Sequence, residues 1–354
     1  MAREQLPFQP IRTDLYTSGE ISQGFVLGDP ESMLEMADFK TFQYFVKHGR
    51  ATPEDPHAGM MEALHDNSIL QAMGAFLKGR KRVAAIMGGH REDRCSSAYR
   101  SVVELSKTLS ENGFLLASGG GPGAMEATHL GALMAGREQK DVDDAIALLA
   151  KEPKLPHDAG DVIRKDGTVN RDGDIVERLH KWSAPAHQLM RELRRTGGTL
   201  GESLAVPTWH YGHEPVTPLA SHIAKYFLNS IREDVLLYLA TQGIIYAPGR
   251  AGTLQEVFQD AAQNYYASSS GGVFSPMVFF DADRFWSERL PVKVVLDSLF
   301  NLAGGALKAE YEAKVRTYAN IKDIVDFLNS NAPSAAAQTL RAEALGIQVV
   351  LRQT

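Results

Sequence analysis

The pattern of hydrophobic positions changes near residue 80. Before that point, short helical stretches such as Glu31–Lys47 alternate with Pro, Gly and acidic residues. After it come five short apolar runs, at Val83–Met87, Phe114–Ala117, Ser203–Val206, Ile244–Ala247 and Met277–Phe280. Amphipathic stretches separate these runs, and the alternation is typical of strand–helix–strand units in a parallel sheet. Because the runs lack polar alternation, the strands are expected to be buried on both faces.

We therefore predict an α/β fold, a Rossmann-like doubly wound parallel sheet with helices on both faces. The connection from Ser118 to Glu202 is far longer than the dozen or so residues that a parallel crossover needs. Its excess, at about residues 137–197, is charged and is predicted to form a helical insertion. The sequence then divides into an N-terminal extension over 1–79, a nucleotide-binding domain over 80–330 and a C-terminal tail over 331–354.

Composition narrows the class of protein. Of the 354 residues, 44% are apolar and 23% are charged, which is enough apolar material for a packed core. The formal net charge of -6 argues against a general affinity for nucleic acid. The single cysteine, Cys95, cannot form an intrachain disulfide, and no apolar run approaches the roughly 18 residues of a membrane span. We expect a cytoplasmic protein that contacts neither nucleic acid nor membrane.

Two glycine-rich segments follow apolar runs and open helices. The first is Ser118-Gly119-Gly120-Gly121-Pro122-Gly123, followed by Ala124-Met125-Glu126-Ala127. Consecutive glycines allow positive φ and a close approach of the backbone to a ligand, and helix N-termini favour anions. A tight strand-to-helix connection without a ligand would use the same residues.

The second segment is Pro248-Gly249-Arg250-Ala251-Gly252-Thr253-Leu254-Gln255-Glu256. Thr253 and Glu256 match the spacing of a capping box, which would tie both side chains to their own helix. Alternatively, the Gly252 and Thr253 amides and the Thr253 hydroxyl bind phosphate while Glu256 points at a sugar. Two such turns at the carboxyl ends of strands in one sheet mark the expected ligand crevice.

The two segments together resemble the Lonely Guy family of nucleoside 5′-monophosphate phosphoribohydrolases, once misnamed lysine decarboxylases. The similarity covers roughly residues 80–300 without the insertion, and it includes the first apolar run, which leads into Gly88-Gly89. The resemblance implies that Glu256 and Arg232, the latter on a helix predicted over Ile223–Ala240, form the catalytic pair. It also implies that Gly88 and Glu126 belong to the binding site, although Glu126 could be an ordinary first-turn acid. No metal or organic cofactor is implied.

The chain departs from the family at three places. Arg250 stands where the family has Gly, Glu233 follows Arg232 where the family has Lys, and the first strand leads into Gly-Gly-His. Plant molybdenum-cofactor carriers resemble the same family, so a non-catalytic nucleotide or cofactor carrier is the alternative. At Arg250, either φ is negative or backbone strain is tolerated for a purpose. Its guanidinium either extends the anion site towards a more highly charged ligand than a simple monophosphate, or turns to solvent.

Other signals are weaker. An NAD-dependent oxidoreductase would need G-x-G-x-x-G after the first strand, which is absent. The three histidines His210, His213 and His222, with Glu214, match no standard metal spacing. The resemblance implies a homodimer built on helices beside the site. Four apolar residues at helical spacing suit such an interface or an ordinary core face, namely Ile223, Phe227, Ile231 and Val235.

Overall fold

The computed structural model describes residues 5–79, 82–211, 215–269 and 273–344. Within these ranges the strands are β1 (Val83–Met87), β2 (Leu115–Ser118), β3 (Ser203–Ala205), β4 (His222–Ile223), β5 (Ile244–Tyr246), β6 (Met277–Phe280) and β7 (Val315–Tyr318). All pair in parallel, in the order β4-β3-β2-β1-β5-β6-β7. The chain adds strands outward from β1 to β4 and then returns to place β5 beside β1. The topological switch point therefore lies between β1 and β5, where open α/β sheets bind ligands at the carboxyl ends of their strands.

The helices are α1 (Ser18–Ile21), α2 (Ala37–Lys47), α3 (Pro56–Leu77), α4 (Ser97–Glu111), α5 (Ala124–Leu133), α6 (Gln139–Leu149), α7 (Ile175–Thr196), α8 (Asn229–Leu239), α9 (Ala251–Ser269), α10 (Lys293–Ala303), α11 (Gly305–Lys314), α12 (Ile321–Asn331) and α13 (Ala335–Ala344). Short 3₁₀ turns form at Pro30–Glu35, Ala159–Asp161 and Asp172–Asp174, and a π turn forms at Phe285–Arg289. None of the described helices is long and apolar enough to cross a membrane.

Both faces of the sheet are covered. All five residues of β1 are buried, and alternate ones belong to two separate hydrophobic clusters. Val83, Ala85 and Met87 join the cluster that includes the N-terminal helices, whereas Ala84 and Ile86 join the cluster under α4 and α5. The predicted doubly wound α/β fold is confirmed, and the five apolar runs correspond to β1, β2, β3, β5 and β6.

The helix predicted over Ile223–Ala240 is wrong at its start. His222–Ile223 is a strand at the sheet edge, and the helix begins only at Asn229. Ile223 and Phe227 are fully buried and precede the helix, so the four apolar residues do not form one exposed helical face. Large exposed apolar side chains in the described C-terminal half lie on α9, α10 and α13 instead, among them Tyr266, Leu302 and Leu340. The homodimer remains a prediction.

The segment Glu31–Lys47 is also not one helix. A 3₁₀ turn covers Pro30–Glu35, and Met36 takes an extended conformation before α2 begins. The predicted helical insertion contains α6 and α7 with the exposed 165–174 turn between them. The sequence also contains a Ser- and Gly-rich segment at 268–272 and an apolar stretch at 347–351, of which residues 270–272 and 347–351 lie outside the described residues.

Candidate active site

The first glycine turn follows β2 and is locked by a buried polar bridge. The Ser118 hydroxyl accepts a hydrogen bond from Gly120 N at 3.2 Å and lies 2.8 Å from His129 Nε2, while His129 Nδ1 lies 2.9 Å from the hydroxyl of Ser203 on β3. Burial lowers the pKa of His129 to about 3, so the imidazole is neutral at physiological pH. The bridge therefore fixes the turn without adding charge.

The glycines of this turn let the strand ends pack closely. Gly120 and Gly123 have φ of 71° and 69°. A Cβ on Gly120 would lie 2.7 Å from Ala205 Cβ, and one on Gly123 would collide with the Gly89 carbonyl. A Cβ on Gly88 would lie 2.7 Å from that of Ala124. The turn, Gly121 included, is buried. These contacts supply a packing reason for its glycines, independent of any ligand.

Arg232 lies where three strand ends meet. It is on the first turn of α8 and 7% exposed, and its Nε donates to the carbonyl of Val206 just after β3, at 3.1 Å. Its Nη2 occupies the space that a side chain on Gly119, just after β2, would need. Its Nη1 lies 3.7 Å from Oε1 of Glu256 on α9, the helix after β5. One guanidinium thus connects the carboxyl ends of β2, β3 and β5.

The second glycine turn is partly exposed to solvent, whereas the first glycine turn is buried. Helix α9 starts at Ala251, and the Arg250 carbonyl accepts from Leu254 N at 2.9 Å. Gly252 is exposed, and a Cβ added to it would meet no described atom within 4 Å. Gly249, by contrast, packs directly against the Thr253 side chain. The first-turn N–H groups of such a helix have no acceptor within it and can face an anion.

The structure answers two backbone questions that the sequence left open. Thr253 is the third residue of α9 rather than the residue before it, so it does not serve as the N-cap of a capping box. Arg250 is not among the described non-glycine residues with positive φ, and its side chain is exposed. The turn therefore accepts arginine without backbone strain.

Glu233, next to Arg232, has partners of its own. Its carboxylate accepts from Asn229 Nδ2 at 2.7 Å and from Gln255 Nε2 at 2.9 Å. These contacts link the first turns of α8 and α9. Glu233 is thus hydrogen-bonded to one residue of its own helix and to one residue of α9.

Glu126 belongs to a second Arg–Glu pair. Arg94 Nε and Nη2 donate to its two carboxylate oxygens, both at 2.7 Å, and the Tyr99 hydroxyl donates to Oε1 at 2.9 Å. Arg94 Nη1 donates to the carbonyl of Trp182 on α7 at 2.8 Å, and the guanidinium covers the Trp182 ring at 4.1 Å. Both members of the pair are buried. Glu126 therefore ties the insertion to the first glycine turn, which favours a structural role over contact with a ligand.

A cleft lies beside the first turn. It is lined by Pro122 and Gly123, by the loop 90–94 after β1, and by residues 153–157 of the insertion, with Trp182 among its walls. The insertion thus forms one wall of this cleft beside the first glycine turn.

The histidine cluster does not form a metal site in the described part of the chain. No group of three potential metal ligands occurs there. The centroid of the His222 ring lies 4.2 Å from that of Phe76, in a tilted arrangement, and the centroid of the His210 ring lies 4.9 Å from that of Tyr211. His213 and Glu214 lie outside the described residues.

Comparisons with known proteins give little. No protein-family model matches the chain, and no curated protein matches its sequence. Among solved structures, it is similar to the molybdenum cofactor binding protein from the phototrophic bacterium Rippkaea orientalis, with 13% sequence identity and a TM-score of 0.34. That match covers 71% of this chain and 97% of the other. At this level the similarity carries no conclusion about function.

Proposed function

We propose that this protein hydrolyses the N-glycosidic bond of a nucleoside 5′-monophosphate. The observation that carries the proposal is the Arg232–Glu256 pair, in which Nη1 and Oε1 are 3.7 Å apart, at the carboxyl ends of the strands and beside both glycine turns. The pair agrees with the resemblance to the Lonely Guy family, in which the matching residues are catalytic.

The phosphate is assigned to the second turn. The exposed Gly252 and the first-turn amides of α9, which have no acceptor within their own helix, offer an anion site, whereas the first glycine turn is buried. Thr253 lies on the same turn and belongs to this site by position. Phosphate held by fixed amides would orient the ribose and place its anomeric carbon towards Glu256, one turn further along the helix.

The chemistry follows from the charges. As the bond between C1′ and the base nitrogen breaks, positive charge develops on the ribose, and the Glu256 carboxylate stabilises it. Water then bonds to C1′ and loses a proton, which Glu256 can accept. Arg232 donates hydrogen bonds to the phosphate or the departing base, and the base leaves with the bonding electrons and gains a proton. The products are the free base and ribose 5-phosphate.

The test is an assay of ribose 5-phosphate with AMP, GMP, CMP, UMP and IMP as separate substrates. We expect release from at least one nucleotide by the wild type, and a loss of about 100-fold or more in Glu256→Gln. Glu233→Gln is the matched control, because Glu233 faces Asn229 and Gln255. If the wild type binds nucleotides but releases no base, the enzyme is excluded and the carrier is favoured.

A further inference from the structure

The helix that carries Arg232 is held at its start by a side chain from the N-terminal extension. Asp66, on α3, is 2% exposed. Its Oδ1 accepts from Phe227 N and its Oδ2 from Leu228 N, both at 2.9 Å. Leu228 is the N-cap residue of α8 and has no side-chain cap of its own. The buried Asp66 carboxylate thus accepts the backbone N–H of the N-cap residue and that of the residue before it, and it anchors the start of the helix.

Asp66 is itself oriented by a buried relay. His65 Nδ1 lies 3.2 Å from Asp66 Oδ1, and His65 Nε2 lies 2.8 Å from the Tyr16 hydroxyl. Since an ionised carboxylate only accepts, Nδ1 carries the proton and Nε2 accepts from Tyr16. Burial lowers the pKa of His65 and raises that of Tyr16, so both are neutral. The Arg12 guanidinium covers the Tyr16 ring at 3.7 Å.

The same extension also clamps the segment that leads into α8. Tyr16 N donates to Ile223 O at 3.0 Å, and Ile223 N donates to Tyr16 O at 2.8 Å. The stretch 223–228 is therefore fixed at one end by the main chain of Tyr16 and at the other by Asp66.

From Leu228 to Arg232 is one helical turn. Arg232 N donates to Leu228 O at 3.4 Å, and the Arg232 side chain then reaches Val206 O and Glu256. A shift of the helix start would move the guanidinium away from its position beside both partners. We propose that Asp66 is a positioning residue, which fixes the register of α8 so that Arg232 meets Glu256; this role rests on the proposed function.

The test compares Asp66→Asn with Glu62→Gln. An asparagine amide can accept from one of the two N–H groups but presents its own N–H to the other. Glu62 is the control because it lies one turn earlier on α3 and is buried, and its Oε1 has no hydrogen-bond partner among the described residues. Tyr16→Phe, which removes the outer end of the relay, is a milder second variant should Asp66→Asn not fold.

Two readouts are needed. In Asp66→Asn we expect kcat to fall about 10- to 100-fold while KM for the nucleotide changes less than about threefold, because the phosphate turn is untouched. Amide hydrogen exchange in 227–239 should accelerate at least about tenfold, with β1 and β5 still protected. Tyr16→Phe should change both in the same direction by less, and Glu62→Gln should change neither.

The exchange measurement does not depend on activity. If the wild type releases no ribose 5-phosphate, the proposed function fails, and the catalytic part of the Asp66 proposal fails with it, while the anchor is still judged by exchange. Unchanged exchange in Asp66→Asn would overturn the anchor. Faster exchange with unchanged kcat would overturn the positioning role, as would equal effects in Glu62→Gln.

Discussion

In the described part of the chain, two Arg–Glu pairs lie beside the glycine turns, and their geometries differ. In Arg94–Glu126 both carboxylate oxygens accept from the guanidinium at 2.7 Å, and Arg94 also donates to backbone carbonyls. In Arg232–Glu256 the nearest approach is 3.7 Å, and Glu256 keeps 15% of its side chain exposed against 1% for Glu126. We call Arg94–Glu126 the closed pair, because its bidentate contact stabilises the fold, and Arg232–Glu256 the open pair, because its charges are farther apart and its carboxylate is more exposed.

The largest expected effect on stability comes from a Glu→Gln substitution in the Arg94–Glu126 pair. Glu126→Gln leaves the Arg94 charge buried without its counter-ion, and we expect a loss of about 3–5 kcal/mol in the free energy of unfolding. Denaturant titration measures it. The double variant Arg94→Met/Glu126→Leu removes both charges, so its free energy of unfolding should fall less than that of Glu126→Gln. A single-variant loss below about 1 kcal/mol would show that this pair is not structural.

Arg232→Lys tests the open pair. Lysine keeps the charge, but it lacks the planar guanidinium whose separate N–H groups donate to the Val206 carbonyl and approach Glu256 at the same time. We expect kcat/KM to fall about 100-fold, equivalent to about 2.7 kcal/mol, with a much smaller change in the free energy of unfolding. Activity within about twofold of the wild type would mean that the guanidinium is not required.

Arg250→Gly gives the smallest expected effect and concerns ligand charge. We expect the exposed guanidinium to favour ADP over AMP, so the variant should shift the ratio of their dissociation constants towards AMP by about fivefold, or about 1 kcal/mol. Calorimetric titration of both nucleotides measures the ratio. An unchanged ratio would mean that the Arg250 side chain points to solvent and does not contact the nucleotide.

The sequence predicts the sheet well for a simple reason. Strands buried on both faces appear as continuous apolar runs, and all five such runs are strands. The two missed strands lie at the sheet edges: β4 has only two residues, and in β7 only Val315 is fully buried while Thr317 is exposed. The start of α8 was misplaced because Ile223 and Phe227 have helical spacing, while tertiary burial holds them outside the helix.

The site was predictable only in part. Both glycine turns stand out in the sequence, and the resemblance identifies Glu256 and Arg232, which the structure places together. It does not identify Arg94, whose partner is 32 residues away, or Asp66, whose partners are 161 and 162 residues away. Such contacts depend on packing that no local pattern records. The functions of all these residues remain predictions.

The most direct test of the open pair separates binding from turnover in Glu256→Gln. AMP or another hydrolysed nucleotide is titrated calorimetrically into wild type and variant, and base release is followed under single-turnover conditions. We predict dissociation constants within about threefold of each other, and base release slower by about 100-fold or more in the variant. Equal rates of base release in the two proteins would contradict the assignment of Glu256 as the catalytic carboxylate.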